Sequence, residues 1–258
     1  MSARGTAVGK DDQPGGLGSF LKEVTIVVVG ALIASTLLRL LLLQVFSIPS
    51  RSMEETLNVG DRVAVQKVQP FQRGDVVVFR DDLEWLGNPD RFGQEPWQDL
   101  LVFIGLMPDP SANHLVKRVI GVEGDHVVCC DADDRLTVNG VALDESEYLY
   151  RTPEGAADQP SAFPFDVVVP AGRVFVLGDH RSASADSRCH LDETIRGVEH
   201  AGGFPTVDSV VGAAGFTLFP FDRWRTYGTP EAFAAVPAAS APAPEEPVVA
   251  VGGDGSAC

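Results

Sequence analysis

One stretch limits this chain before any other: from Val24 to Phe46 every residue is apolar except Thr25, Ser35, Thr36, Arg39 and Gln44. Wound as a helix, those 23 residues would reach roughly 34 Å, against a hydrocarbon core of about 30 Å. The run predicts one membrane-spanning helix over 20–46, with Arg39 placed to snorkel toward its outer end. A cleaved secretory leader is the competing reading. The run is long for one, and no A-x-A-like site follows it. Arg4, Lys10 and Lys22 precede the run, and Arg51, Arg62 and Lys67 follow it. The basic residues therefore leave the sidedness open. Met1 to Ser19 is Gly-rich and polar without periodicity, and is expected to be a disordered arm.

Past the run the pattern changes to strands. Gly-Asp-x-Val occurs three times, at Gly60-Asp61, Gly74-Asp75 and Gly124-Asp125, each a turn feeding a strand. Val76 to Phe79 is a continuous apolar strand. Leu136 to Leu143 is a hairpin turning at Asn139-Gly140, a type I′ signal. Arg173 to Leu177 and Val210 to Leu218 add further strands. The expectation is a mainly β domain over 47–228. Asp81 to Asn113 is a long insertion in which Trp97 to Met107 reads as a short helix covering one end of the domain. A bilayer-interface role for Trp85, Trp97 and Phe103 is the competing reading. After Gly228 the chain is Ala/Pro-rich with four acids and no base, which predicts a disordered tail over 229–258.

Charge and cysteine content narrow the function. The net charge is -16 and no basic run exists, which argues against a nucleic-acid partner. Cys129, Cys130, Cys189 and Cys258 form no C-x-x-C pair, so a zinc or thioredoxin-like site lacks its spacing. Adjacent cysteines bridge each other only with strain, so pairing of one of them with Cys189 and free thiols are both open. Cys258 is expected to be unpaired within the chain.

The chemistry-bearing stretch is Ile48-Pro49-Ser50-Arg51-Ser52-Met53. Two serines stand one residue apart where the apolar run ends. Ser52 is the candidate nucleophile and Ser50 its oxyanion partner. None of the five histidines sits in a G-x-S-x-G-type pattern, and no H-E-x-x-H exists for a metal protease. Lys117, in Leu115-Val116-Lys117-Arg118-Val119-Ile120-Gly121, is the better base. Period two puts Leu115, Lys117 and Val119 on one strand face, and a desolvated lysine loses its charge more readily. Its competing reading is an exposed edge-strand lysine. A third stretch, Gly178 to Arg188, is dense in short polar residues. There Ser184 is placed to orient an amine, and Asp186 and Arg188 to pair.

Together these stretches resemble the bacterial type I signal peptidases, the leader peptidase family with a Ser-Lys dyad. Pro49 to Met53 is similar to its nucleophile box, and Arg73-Gly74-Asp75-Val76-Val77-Val78-Phe79 to its R-G-D box. Lys117 to Gly121 with Gly124-Asp125 resembles its lysine box, and Gly178 to Arg188 its G-D-N-x-x-x-S-x-D-S-R box. The order matches, as does the preceding anchor, over about Val45 to Gly212. The resemblance implies a membrane-anchored serine endopeptidase that removes signal peptides from exported precursors, without cofactor or metal. Ser52 would be the nucleophile, Lys117 the base, and Ser50 with the Ser52 amide the oxyanion site. Ser184, Asp186 and Arg188 would support them, and Phe46, Ile48 and Val116 would line shallow substrate pockets. It also implies a β-rich catalytic core with a smaller β extension over 129–170, lying outside the cytoplasm. The expected partners are signal peptides and the lipid bilayer. Two departures stand out: Glu55 where the family usually has proline before Thr-Leu, and His180 for the usual Asn. Glu55 is the support for the alternative, a non-catalytic anchored β-domain.

Overall fold

The computed structural model describes residues 17–87 and 113–252, with the side chains of 17 and 37–41 outside that description. Most of the polar arm, the Trp97 to Met107 stretch, Cys258 and the Arg39 side chain therefore lie outside the described residues. Within them, helix α1 runs Leu17–Leu41. Thr25 and Thr36 donate their hydroxyls to the carbonyls of Leu21 and Leu32, 2.8 Å away in each case. Back-bonding of this kind lets a hydroxyl sit inside an apolar helix without an unpaired donor. Gly18–Thr36 is long and apolar enough to cross a membrane.

The helix ends earlier than the apolar run. Leu43–Ser47 is strand β1, so the expected boundary at 46 is corrected. The backbone of Leu43–Ser47 pairs antiparallel with strand β2, Arg62–Gln66, Phe46 facing Val63. Apolarity alone does not separate a membrane helix from the strand that follows it, because both are built from Leu, Val and Phe.

The described residues from Leu41 onward form one compact unit, and the helix up to Leu40 belongs to another. The larger unit holds β3 (Val76–Arg80), β4 (His114–Val122), β5 (His126–Cys129), β6 (Thr137–Val138) and β7 (Val141–Ala142). It continues with β8 (Phe165–Val168), β9 (Val174–Leu177), β10 (Val210–Phe219) and β11 (Val248–Val251). One sheet has six strands in the order β1-β2-β10-β3-β4-β9; the other has five, β11-β8-β5-β6-β7.

The three Gly-Asp turns share one geometry. Gly60, Gly74 and Gly124 have φ of 87°, 86° and 81°, which glycine adopts without a Cβ penalty. In each turn the Asp carboxylate accepts the backbone N–H three residues earlier, from Asn58, Gln72 and Val122, at 2.8, 3.0 and 2.8 Å. Each turn then opens a strand: β2, β3 or β5. Asn139 and Gly140 both have positive φ, 50° and 79°, the type I′ geometry.

The second, smaller sheet is the expected β extension, but its bounds shift: it begins at His126 with β5 rather than at 129 and takes its edge strand from the tail. A shared core joins Ile120 of β4, Phe175 and Leu177 of β9, and Phe165 and Val167 of β8. One expectation fails here: the tail is ordered through Gly252. Val248–Val251 pairs with β8, and Phe233 and Val236 are buried in that shared core. Ala/Pro-rich composition misleads because four apolar residues suffice for an edge strand, and two more anchor the approach to it. Trp85 also departs from a bilayer role. It stacks on His190 at 4.6 Å and donates Nε1–H to the Gly202 carbonyl. Cys129 and Cys130 are bonded to each other, so neither pairs with Cys189.

Candidate active site

Strand β4 carries Lys117 into the interior. Its in-register partner on β3 is Val77, and its face-mates Leu115 and Val119 pack with Val77 and Phe79. The side chain is 3% exposed. Burial drives the amine's pKa down from the ordinary lysine value to about 8. The carboxylate of Asp186 opposes this shift, and the Arg188 charge adds to it.

Ser52 lies in the turn between β1 and β2 and is 6% exposed. Lys117 Nζ stands 2.7 Å from Ser52 Oγ, and Ser50 Oγ stands 3.3 Å from the same atom. The Ser52 carbonyl accepts the His180 N–H at 3.0 Å, fastening the serine turn to the loop after β9. Among the described residues the Ser52 N–H donates to no protein acceptor. A cleft of about 430 Å³ opens at this pair, with Phe46, Ile48 and Val116 in its wall beside Ser50, Ser52 and Lys117. His114 also lines it, against the Phe46 ring at 4.9 Å.

The loop after β9 is braced by charge. Asp186, fully buried, accepts from Arg188 Nε and Nη2, both at 2.9 Å, and from the Gly178 N–H at 3.0 Å. The guanidinium beside it holds its pKa down against the opposing effect of burial. Ser184 is close by but does not bond to the lysine: its Oγ is buried without a hydrogen-bond partner. Gly178 explains how these parts fit, since a Cβ there would collide with both Ser184 Oγ and the Ser52 carbonyl.

Sequence reading missed the supports around this pair. Arg118, next to Lys117, is held bidentate by Asp179 at 2.8 and 2.6 Å and donates to the Gly74 carbonyl at 2.6 Å. Thr56 Oγ1 donates to the same carboxylate at 2.5 Å. Arg181 and Glu145 form a second buried pair, to which Tyr148 donates its hydroxyl. The partners are 61 and 36 residues apart in sequence. The only local signal was the Gly178-Asp179 dipeptide. Glu55 turns out to be exposed, with φ of 73°, and its carbonyl accepts from Arg225. Proline, fixed near −65°, cannot take that conformation, so this turn as folded excludes proline at position 55. The Glu55 side chain does not line the cleft.

A family profile, signal peptidase, peptidase S26, matches residues 21–219 of this chain. The chain belongs to the S26 signal peptidases. The matched stretch takes in Ser50, Ser52, Lys117, Ser184, Asp186 and Arg188 and stops short of the tail strand β11. Signal peptidase I of Mycobacterium tuberculosis is 38% identical over 226 residues, covering 80% of this chain and 75% of that protein. Probable signal peptidase I of Mycobacterium leprae is 37% identical over 210 residues, 71% of each chain. Probable signal peptidase I-1 of Synechocystis sp. is 31% identical over 223 residues, covering 85% of this chain and 91% of that protein. In this S26 peptidase the two serines and the lysine thus meet in one cleft.

Proposed function

We propose that this S26 peptidase cuts signal peptides from exported precursors with Ser52 as nucleophile and Lys117 as general base. The contact between a buried, partly neutral amine and a serine hydroxyl, 2.7 Å apart, carries the reading. The neutral amine accepts the Ser52 proton as Oγ attacks the carbonyl carbon before the cut. The resulting oxyanion accepts hydrogen bonds from the Ser52 N–H and the Ser50 hydroxyl. Lys117, now an ammonium, gives its proton to the departing amine as the C–N bond breaks, leaving an ester on Ser52. Water, deprotonated by Lys117, hydrolyses the ester and frees the signal peptide as a carboxylate.

Phe46, Ile48 and Val116 give the cleft an apolar wall suited to small side chains before the cut. An extended peptide can lie there and place alternate side chains in the wall. Asp186 and Arg188 hold the loop that carries Ser184 and fastens Ser52. The apolar helix is the anchor, and the catalytic unit is on the extracytoplasmic face. Tethering an enzyme and a membrane-held precursor to one bilayer reduces the entropy lost on encounter.

The test is incubation of the purified full chain with a secretory precursor, reading the cut by mass spectrometry. Cleavage after a small residue at the end of the signal peptide is expected, lost in Ser52→Ala and in Lys117→Ala. Normal cleavage by either variant would overturn the dyad.

A further inference from the structure

A second cleft, of about 460 Å³, lies between the 157–163 segment and the loop after β9, lined by Asp158, Phe163, Arg181, Ser182, Ser184 and Arg188 among others. Ser184 is 8% exposed, and its Oγ has no hydrogen-bond partner. A buried hydroxyl left without a partner is uncommon and costly, and an extended peptide backbone offers both the donors and the acceptors it lacks. Ser184 Oγ and the Ser52 carbonyl crowd the same face of Gly178, so one residue of this cleft's wall packs beside the backbone of the nucleophile. The first cleft contains Ser52 and Lys117 without Ser184; the second contains Ser184 without either.

The charges of the second cleft are unequal. Arg181 donates to Glu145, the Gly178 carbonyl and the Pro160 carbonyl. Arg188 donates to Asp186 and to the carbonyls of Arg181 and Pro160. Both cations are spent on these partners. Among the described residues, Asp158 accepts only from the Ser182 N–H at 3.0 Å and the Ser182 hydroxyl at 3.1 Å, both uncharged donors. It is half-buried, and its carboxylate is the uncompensated charge of the cleft.

We propose that this second cleft receives the polypeptide that follows the cut, and that Asp158 makes it favour basic over acidic side chains there. The inference rests on the reading of Ser52 and Lys117 as the cutting pair. The experiment uses two peptides identical up to the cut, with Lys or Glu at the second position after it. At low ionic strength the Lys peptide should have the higher kcat/KM by about fivefold, the size of one screened charge contact. Added salt should shrink the ratio. In Asp158→Asn the ratio should fall to near one. Equal rates in the wild type, or a ratio that survives Asp158→Asn, overturn this inference while leaving the cutting pair intact. Failure to cut either peptide or a precursor overturns the cutting pair and this inference together. Independently, Ser52→Ala can be incubated with a peptide carrying a benzophenone at that same position after the cut. Labelling within 157–163 or 181–185 is expected, and labelling confined to the walls of the first cleft would contradict it.

Discussion

Lys117 and Arg118 are neighbours on β4, each 3% exposed, yet the two faces of the strand treat their charges in opposite ways. Arg118 meets a carboxylate head-on: Asp179 takes two of its N–H groups, and its pKa is raised despite burial. Lys117 meets a hydroxyl, and the nearby carboxylate of Asp186 is already engaged by Arg188. Equal burial thus leaves one cation permanently charged and the other free to lose its proton near pH 8. Two things decide: the guanidinium holds its proton far more tightly than an ammonium to begin with, and only Arg118 has a dedicated counter-charge to offset its desolvation. The fixed pair holds the framework, and the unpaired amine is left available for chemistry.

That contrast is broken most severely by Lys117→Met, which keeps the volume and removes the amine. Loss of a base that acts as a unit with its nucleophile should lower kcat by about 10⁴-fold or more, measured on a peptide substrate, while the melting temperature holds or rises. The sign follows from linkage: between pH 8 and about 10.4 the unfolded lysine binds a proton that the folded one has lost. Wild-type stability therefore climbs with pH through that window from this group, and the variant should lack that climb.

Breaking the other face should act on stability instead. Asp179→Asn leaves Arg118 buried without its counter-charge, at a cost of about 3–5 kcal/mol. Urea unfolding would measure it, and an unchanged midpoint would show that the pair does not hold the framework. Arg118→Lys keeps the charge but loses the fork that fits the carboxylate. A smaller loss is expected, about 1–3 kcal/mol. Asp186→Asn strands Arg188 as Asp179→Asn strands Arg118, so it should cost comparable stability, and its distinguishing readout is the smaller one, on the pH dependence. That carboxylate raises the Lys117 pKa, so its removal should move the pH limb of kcat/KM downward; an upward shift would contradict the assigned sign.

Much of this frame was legible in the sequence where local chemistry carries the signal. The three Gly-Asp turns, the Asn139-Gly140 hairpin and the period-two flank of Lys117 each rest on residues adjacent in the chain. The paired charges were not legible. Arg118 with Asp179, and Arg181 with Glu145, join positions far apart in sequence, and a charged residue read alone defaults to the surface. The tail was misread for a related reason: Val248–Val251 becomes a strand only because β8 offers it an edge. Ser184 was placed beside the lysine from its polar loop, whereas its buried hydroxyl makes no hydrogen bond.

The account turns on one property of one side chain, a Lys117 amine that is neutral often enough to accept a proton. It is tested most directly by kcat/KM against pH for the wild-type enzyme on a peptide substrate, since that ratio reports the free enzyme. The predicted profile rises through a limb near pH 8 and levels above it. A limb at about pH 10 or higher, where an ordinary exposed lysine titrates, would contradict the buried base.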